Sequence, residues 1–235
     1  DRAMAQPLTL DVIDRPTAEA RRMVKALRPG DGGSIALIRA QTLDFSESLF
    51  ALPRSPRRLA VLAAWDAATD VADRHGSLLG TLGDGAREQW HVRGELTRAS
   101  FDCPWQGWLP EVGDVRPQGE DEPVLVFISG DLSLRGTPGF MRDAPHTVRR
   151  ANGHPGYLGG LGLVATLPNT TSCSAWRTYA DARDYAYGNG EHRDAMLRDR
   201  KAGRHVTNWF FRVRPQVSSG SLRGSDPFAV VRMAA

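Results

Sequence analysis

Ser172-Cys-Ser-Ala-Trp176, Tyr179-Ala-Asp-Ala-Arg-Asp-Tyr-Ala-Tyr187, Gly188-Asn-Gly-Glu-His192-Arg193 and Asn208-Trp-Phe-Phe-Arg-Val213 follow one another in a single stretch. Cys173 to Arg177 reads as a strand that closes at Trp176. Ala180 to Ala202 reads as a helix, interrupted at Gly188-Asn189-Gly190, and Trp209 to Pro215 as the next strand. The same order stands earlier. Arg58 to Trp65 predicts a strand ending in tryptophan, Ala67 to Leu82 a helix, and Glu88 to Ala99 an alternating strand.

Working outward, each of these blocks has a strand in front of it. Ser34 to Leu43 reads as a buried strand, followed by a short helical piece over Phe45 to Leu52 and a turn at Pro53-Arg-Ser-Pro56. Pro123 to Ser133 reads as a strand. Pro138 to Asn152 is a helix bounded by Pro138 and by Asn152-Gly153, and Tyr157 to Leu167 is glycine-rich and extended. The repeated order predicts an α+β chain of two ferredoxin-like β-α-β-β-α-β halves. Helices cover one face of each sheet, so the other faces need cover and find it in each other, as a pseudo-dimer. The expected division is 1 to 31 as an arm and helix (Thr17 to Leu27), 32 to 112 as the first half, 113 to 217 as the second, and 218 to 235 as a flexible tail. Residues 101 to 123, rich in proline and tryptophan, are the connection.

His192 lies seven residues after Tyr185 and four before Met196, spacings that share one helical face. Two readings stand at this point. One is a core histidine bonded to a backbone carbonyl. The other is a metal or heme ligand, with its second nitrogen fixing the tautomer.

Composition narrows the class. Apolar residues at 41% suffice for a core, and no apolar run approaches the roughly 18 residues of a membrane span. No basic region precedes an apolar core at the start, so no secretion signal is visible. Cys103 and Cys173 are the only cysteines and have no zinc-type spacing, which makes a reducing cytoplasm the default. The net charge is +3, and the only lysines are Lys25 and Lys201. The arginines are scattered among acids, not gathered in a stripe with stacking aromatics, which argues against nucleic acid. They suit carboxylates, phosphates or heme propionates. There is no nucleophile elbow, and the glycines from Gly153 to Gly162 do not form a phosphate-binding loop.

Gly159-Gly160-Leu-Gly162, Leu167-Pro168, Ser174-Ala-Trp176, Ala186-Tyr187, His192-Arg193 and Trp209-Phe-Phe-Arg212 together resemble the spheroidene monooxygenase family of heme-containing carotenoid oxygenases. The resemblance covers roughly residues 123 to 215 and extends to the broader dimeric α/β-barrel superfamily. It departs at Val206-Thr-Asn-Trp209, where the family tends to carry acidic residues. The resemblance implies heme b with His192 as the iron ligand. It also implies a slot opened by Gly159, Gly160 and Gly162 beside Trp176, and propionates reached by Arg149, Arg150 and Arg193. Ser129, Asp131 and Arg177 are the candidates for the group that hydrogen-bonds on the open side of the iron, with His146 and His154 as others; His75, His91 and His205 complete the histidines. The expected activity is a heme-dependent monooxygenation of a small apolar or amphipathic metabolite in a biosynthetic pathway. It would need an electron donor and admits a homo-oligomer. The alternatives are an aldoxime-type heme dehydratase, a heme or small-ligand carrier, and a cofactor-free monooxygenase.

Overall fold

Leu8, Leu10 and Val12 alternate with Thr9, Asp11 and Ile13, so residues 7 to 14 present one apolar face with every second side chain. In the computed structural model this segment is strand β1 (Pro7–Asp14), paired on both edges and buried. It is no arm. Thr9 and Asp11, between the apolar residues, give the segment a polar look, but they point to the other face of the sheet. The structure describes residues 6–27, 34, 36–43, 58–66, 71–101, 104–105, 107–164, 169–188 and 190–231. The helical piece expected over residues 45 to 52, and the turn after it, lie outside these.

The chain then runs through α1 (Thr17–Ala26), β2 (Ala36–Leu43), β3 (Arg58–Ala64), α2 (Val71–Gly83) and β4 (Glu88–Phe101). The second half repeats the order with β5 (Val124–Asp131), α3 (Thr137–Asn152), β6 (Tyr157–Val164), β7 (Asn169–Trp176), α4 (Tyr179–Arg183), one π-helical turn (Asp184–Gly188), α5 (Gly190–Lys201) and β8 (Trp209–Gly220). The strands close into one antiparallel barrel in the order β1-β3-β2-β6-β7-β5-β8-β4. Within it β4-β1-β3-β2 and β8-β5-β7-β6 are two four-stranded units of the same ferredoxin-like order. They join where β2 meets β6 over Gln41 to Leu43 and where β4 meets β8 along nearly its whole length. The two sheets pair edge to edge, and among the described residues closure leaves no edge strand exposed.

Alternation sorts side chains to two sides. Leu10, Leu62, Trp90, Phe127, Cys173 and Phe211 point into the barrel as one core. Ile13, Val61, Ala63 and Trp65 lie on the outer face of the first half, and Val124 and Trp176 on that of the second, where the helices pack. Trp65 and Trp176 hold equivalent places: Trp65 directly follows β3, and Trp176 is the last residue of β7.

Two segments expected to be peripheral enter the core. Trp105 and Trp108, in the connection, close a tight turn through reciprocal backbone hydrogen bonds of 2.8 and 2.9 Å. Gly107 supplies its left-handed residue (φ 84°). Trp105 then lies 4.4 Å from Trp209 between ring centroids. The residues after Ser218 also fold back: β8 continues to Gly220, and Leu222 and Phe228 are buried in the barrel core. Among the described residues no helix is long and apolar enough to cross a membrane.

Candidate functional site

The two halves place equivalent side chains on the helix-facing side of their sheets. In the first, Asp11 stands between Val61 and His91 on neighbouring strands. In the second, Ile128 stands in the same way between Ser172 and Phe210. The first set is sealed: Asp11 and Val61 are both 0% exposed. The second is open: Ile128 is 48% exposed, Ser172 is exposed and Phe210 only half-buried.

The covering helix explains the difference. In the first half α2 is continuous and packs on β1. In the second, the helix after Trp176 is broken. Thr178 caps α4 by accepting from the Asp181 N–H at 3.0 Å, the residue spacing of a capping box. After five residues the chain widens into the π turn, and α5 restarts at Gly190. Tyr185, in the π turn, packs on Trp176 at 5.0 Å and donates to the Thr147 carbonyl at 3.0 Å. Burial pushes its phenol up to about 12. The π turn adds a residue to the repeat and shifts the register after Tyr185. Met196, expected on an inward face, is exposed instead. Met196 is 39% exposed and Leu197 54%.

Arg204 fixes where α5 ends. It donates to Asp199 of α5 at 2.7 Å and to Asp143 of α3 at 2.8 Å. Asp143 also accepts from Arg142 at 2.9 Å, and that bond, with Arg204 helping against partial burial, holds its carboxyl at about 2. A depressed carboxylate adds stability that is whole above its unfolded value of about 3.9 and is lost as pH falls through the folded one. Asp143→Asn should therefore flatten the acid-unfolding curve between about pH 4 and pH 2. An unchanged slope in that window, followed by circular dichroism, would show that the clamp adds nothing.

The other expected site residues are dispersed. His192 falls in the first turn of α5; its side chain lies outside the described residues. Arg193 on α5, and Arg149 and Arg150 in the last turn of α3, are exposed. Trp176 is enclosed by His154, Tyr157 and Tyr185, and its indole N–H donates to Ser174 Oγ at 2.9 Å. It lies on the same outer face as Ser172, at the end of β7, and is buried there. Gly159 takes a left-handed φ of 143° at a bulge in β6. A Cβ on Gly160 would meet Tyr157 Oη at 2.5 Å and the Cys173 carbonyl at 2.6 Å. These two glycines serve the bulge and close strand packing, not a slot. Gly162 is buried opposite Ser172.

Ser129 and Asp131 are a clearer correction. They follow Ile128 with the alternation of a strand, so Ser129 turns into the barrel, beside Phe127. Its Oγ donates to the Thr170 carbonyl at 3.0 Å and lies 2.7 Å from Thr171 Oγ1. Asp131 accepts from Asn169 Nδ2 and Thr207 Oγ1, each at 3.0 Å. Neither reaches the open outer face. Arg177 is exposed, and its backbone N–H donates to the Gly156 carbonyl. His146 is exposed on α3, and His154 pairs with Asp184 at 3.2 Å.

Two features were missed from the sequence. Arg212 lies two residues from Phe210 on the same outer face of β8. Its guanidinium stacks 4.4 Å over Tyr179, and its buried Nε has no partner among the described residues. The second is Asp11 with His75 and His91. His75 Nε2 lies 2.7 Å and His91 Nδ1 2.9 Å from the same oxygen, Oδ1. The signal was present: an aspartate inside an alternating apolar run, and His75 four residues after buried Val71 on a helix.

No family model matches this sequence, and no curated protein does. Among solved structures, an aldoxime dehydratase is similar over 91% of this chain and 84% of its own, at 14% identity and a TM-score of 0.54. A candidate monooxygenase from Fusobacterium nucleatum shares 7% identity over 94% and 97%, with a TM-score of 0.43. A heme-degrading enzyme from Listeria monocytogenes shares 11% over 87% and 98%, with a TM-score of 0.32. At these identities the first likeness establishes the ferredoxin-like fold and nothing finer.

Proposed function

We propose that this chain is a heme-dependent enzyme of small apolar or amphipathic molecules, with heme b held against the outer face of the second half. The observation that carries this is the contrast between halves: equivalent faces are sealed in one and open in the other. A sheet face bearing Ile128 and Phe210 beside an interrupted helix offers a flat surface to a flat, mostly apolar group. The residues present fit it. Ile128 and Phe210 offer apolar surface, and Arg212 holds a buried Nε with no partner among the described residues, where a propionate would complete its hydrogen bonding. Arg193, Arg149 and Arg150 are further cations of this half, and His192, in the first turn of α5, is the iron ligand in this reading.

Heme bound there would supply an iron able to take a small ligand or a substrate atom at its free position. The protein's own part is narrower. Ile128 and Phe210 keep water from the reacting group. Ser172 is the polar side chain of the open set, and its hydroxyl can hold a hydrogen bond at the substrate's polar atom. The resemblance to spheroidene monooxygenases favours oxygen insertion in a biosynthetic pathway, in the reducing cytoplasm and with an electron donor. The fold likeness to an aldoxime dehydratase, together with the exposed hydroxyl of Ser172, favours a second reading. That reaction is redox-neutral: an aldoxime loses water to become a nitrile, and Ser172 steadies the departing hydroxyl. A duplicated ancestor, kept as a pseudo-dimer, accounts for the two units and for the freedom of one to lose its helical cover.

Filling the face tests the proposal. Ser172→Trp should reduce heme uptake by at least about tenfold, equivalent to 1.4 kcal/mol, while far-ultraviolet circular dichroism stays unchanged. The readout is the Soret band during titration with hemin. Full heme uptake by the folded variant would place the cofactor elsewhere. In the loaded wild-type protein, oxygen consumption that requires reductant would select oxygenation, and nitrile formation without net redox change would select dehydration.

A further inference from the structure

The first half holds a second site, independent of the heme reading. Asp11 of β1 is 0% exposed, and its Oδ1 faces two imidazoles, from His75 of α2 and His91 of β4. Its other oxygen, Oδ2, is buried and has no partner among the described residues. A fully buried carboxylate with one oxygen left bare lacks the partners that a buried charge requires.

Gln89 sharpens the point. Its Nε2 donates to the Gly83 carbonyl at 3.4 Å, which turns its Oε1 toward His91 Nε2 at 3.0 Å. With the Gln89 amide in this orientation, His91 Nε2 is the donor to Oε1. On the neutral ring, Nδ1 is then a bare lone pair directed at the Asp11 carboxylate 2.9 Å away. Two lone pairs do not face each other at that distance without a positive species between them, and that species is a proton or a metal ion. A ring nitrogen on a metal with the other donating to an amide oxygen is the second-shell pattern of ligating histidines.

We propose that Asp11, His75 and His91 bind a divalent transition-metal cation of the zinc type. The ligand atoms all lie within 4.8 Å of one another. Tetrahedral zinc bonds of about 2.0–2.2 Å need donors roughly 3.3 Å apart, so small rotations of side chains admit the ion. Asp11 Oδ2 or a water completes the shell, and the His91 side chain, 13% exposed, marks the way in. Two imidazoles and a carboxylate suit zinc, cobalt or nickel over magnesium or calcium. The three ligands come from two strands and the helix above them. The ion fastens α2 to the sheet and keeps this face shut, where the second half is open.

The experiment titrates chelator-treated, full-length protein with Zn2+ alone, then with Co2+ as a spectroscopic probe. One Zn2+ per chain, a raised melting temperature and the intense visible bands of four-coordinate Co2+ are expected. His75→Gln and His91→Gln should abolish stoichiometric binding, and Gln89→Leu should weaken it by about tenfold or more. Hemin should not compete, so failure here leaves the heme proposal standing, and the reverse. Absence of one-to-one binding by the wild-type protein overturns the proposal, as does undiminished binding by either folded histidine variant. Should both variants unfold, X-ray absorption at the zinc edge of the wild-type complex decides. A shell without two imidazoles and a carboxylate oxygen rejects the site.

Discussion

Phe228→Ala should lower the free energy of unfolding by about 3–5 kcal/mol, the range for truncating a buried aromatic. Phe228 is 1% exposed and stacks on Trp90 at 6.3 Å. Its position is prepared by Asp226. That carboxylate accepts from the Phe228 N–H at 3.0 Å, from Ser218 Oγ at 2.6 Å and from the Trp90 indole N–H at 3.2 Å. Pulling the ring out empties a space bounded by a rigid barrel, which cannot collapse to fill it. Truncation after Ser218 would also leave the Trp90 indole N–H without the Asp226 oxygen. Urea unfolding, with the slope compared between variants, measures the loss. A change under about 1 kcal/mol would return this segment to the status of an ordinary surface tail.

His192→Ala should lose most of the bound heme while the fold persists. If this imidazole is the protein's one bond to the iron, its removal leaves only apolar contact and the arginines. The affinity should fall by at least about tenfold, or 1.4 kcal/mol. The fold should survive because α5 carries exposed Met196 and Leu197 and little core. His146→Ala, an exposed histidine on α3, is the matched control and should leave heme content unchanged. The Soret band relative to protein absorbance reports occupancy. An unaltered band in folded His192→Ala would remove this residue as the ligand. His154, held between Asp184 and Trp176, would then be tested next.

The sites were harder to read than the strands because they depend on partners distant in the chain. Asp11 and His91 are 80 residues apart, and Asp11 and His75 are 64. Each alone is an ordinary polar residue in an amphipathic element; only the pairing of β1 with β4, under α2, makes them a cluster. Ser129 and Asp131 turn into the barrel for a one-residue reason. Strand alternation assigns Ile128 and Ser129 to opposite faces, but sequence does not say which face meets the helices. His192 was placed on a helix correctly. Its assigned face relied on an unbroken 3.6-residue repeat, which the π turn from Asp184 interrupts.

Local pattern by itself determined the α+β class, the repeat of strand, tryptophan, helix and strand, and the break after Tyr187. Those rest on propensities and periods that act over a few residues. The strand at Pro7–Asp14 escaped because its polar residues are neutralised or covered only by tertiary neighbours. The burial of Trp105, Trp108 and Phe228 escaped for a related reason: loops and tails rich in glycine, proline and serine carry no period, and their few aromatics are drawn in by a barrel core that exists only after closure. Tertiary structure alone decided which outer face is sealed and which is open. That depends on whether a helix lies flat across a sheet, a matter of long-range packing that no local sequence signal encodes.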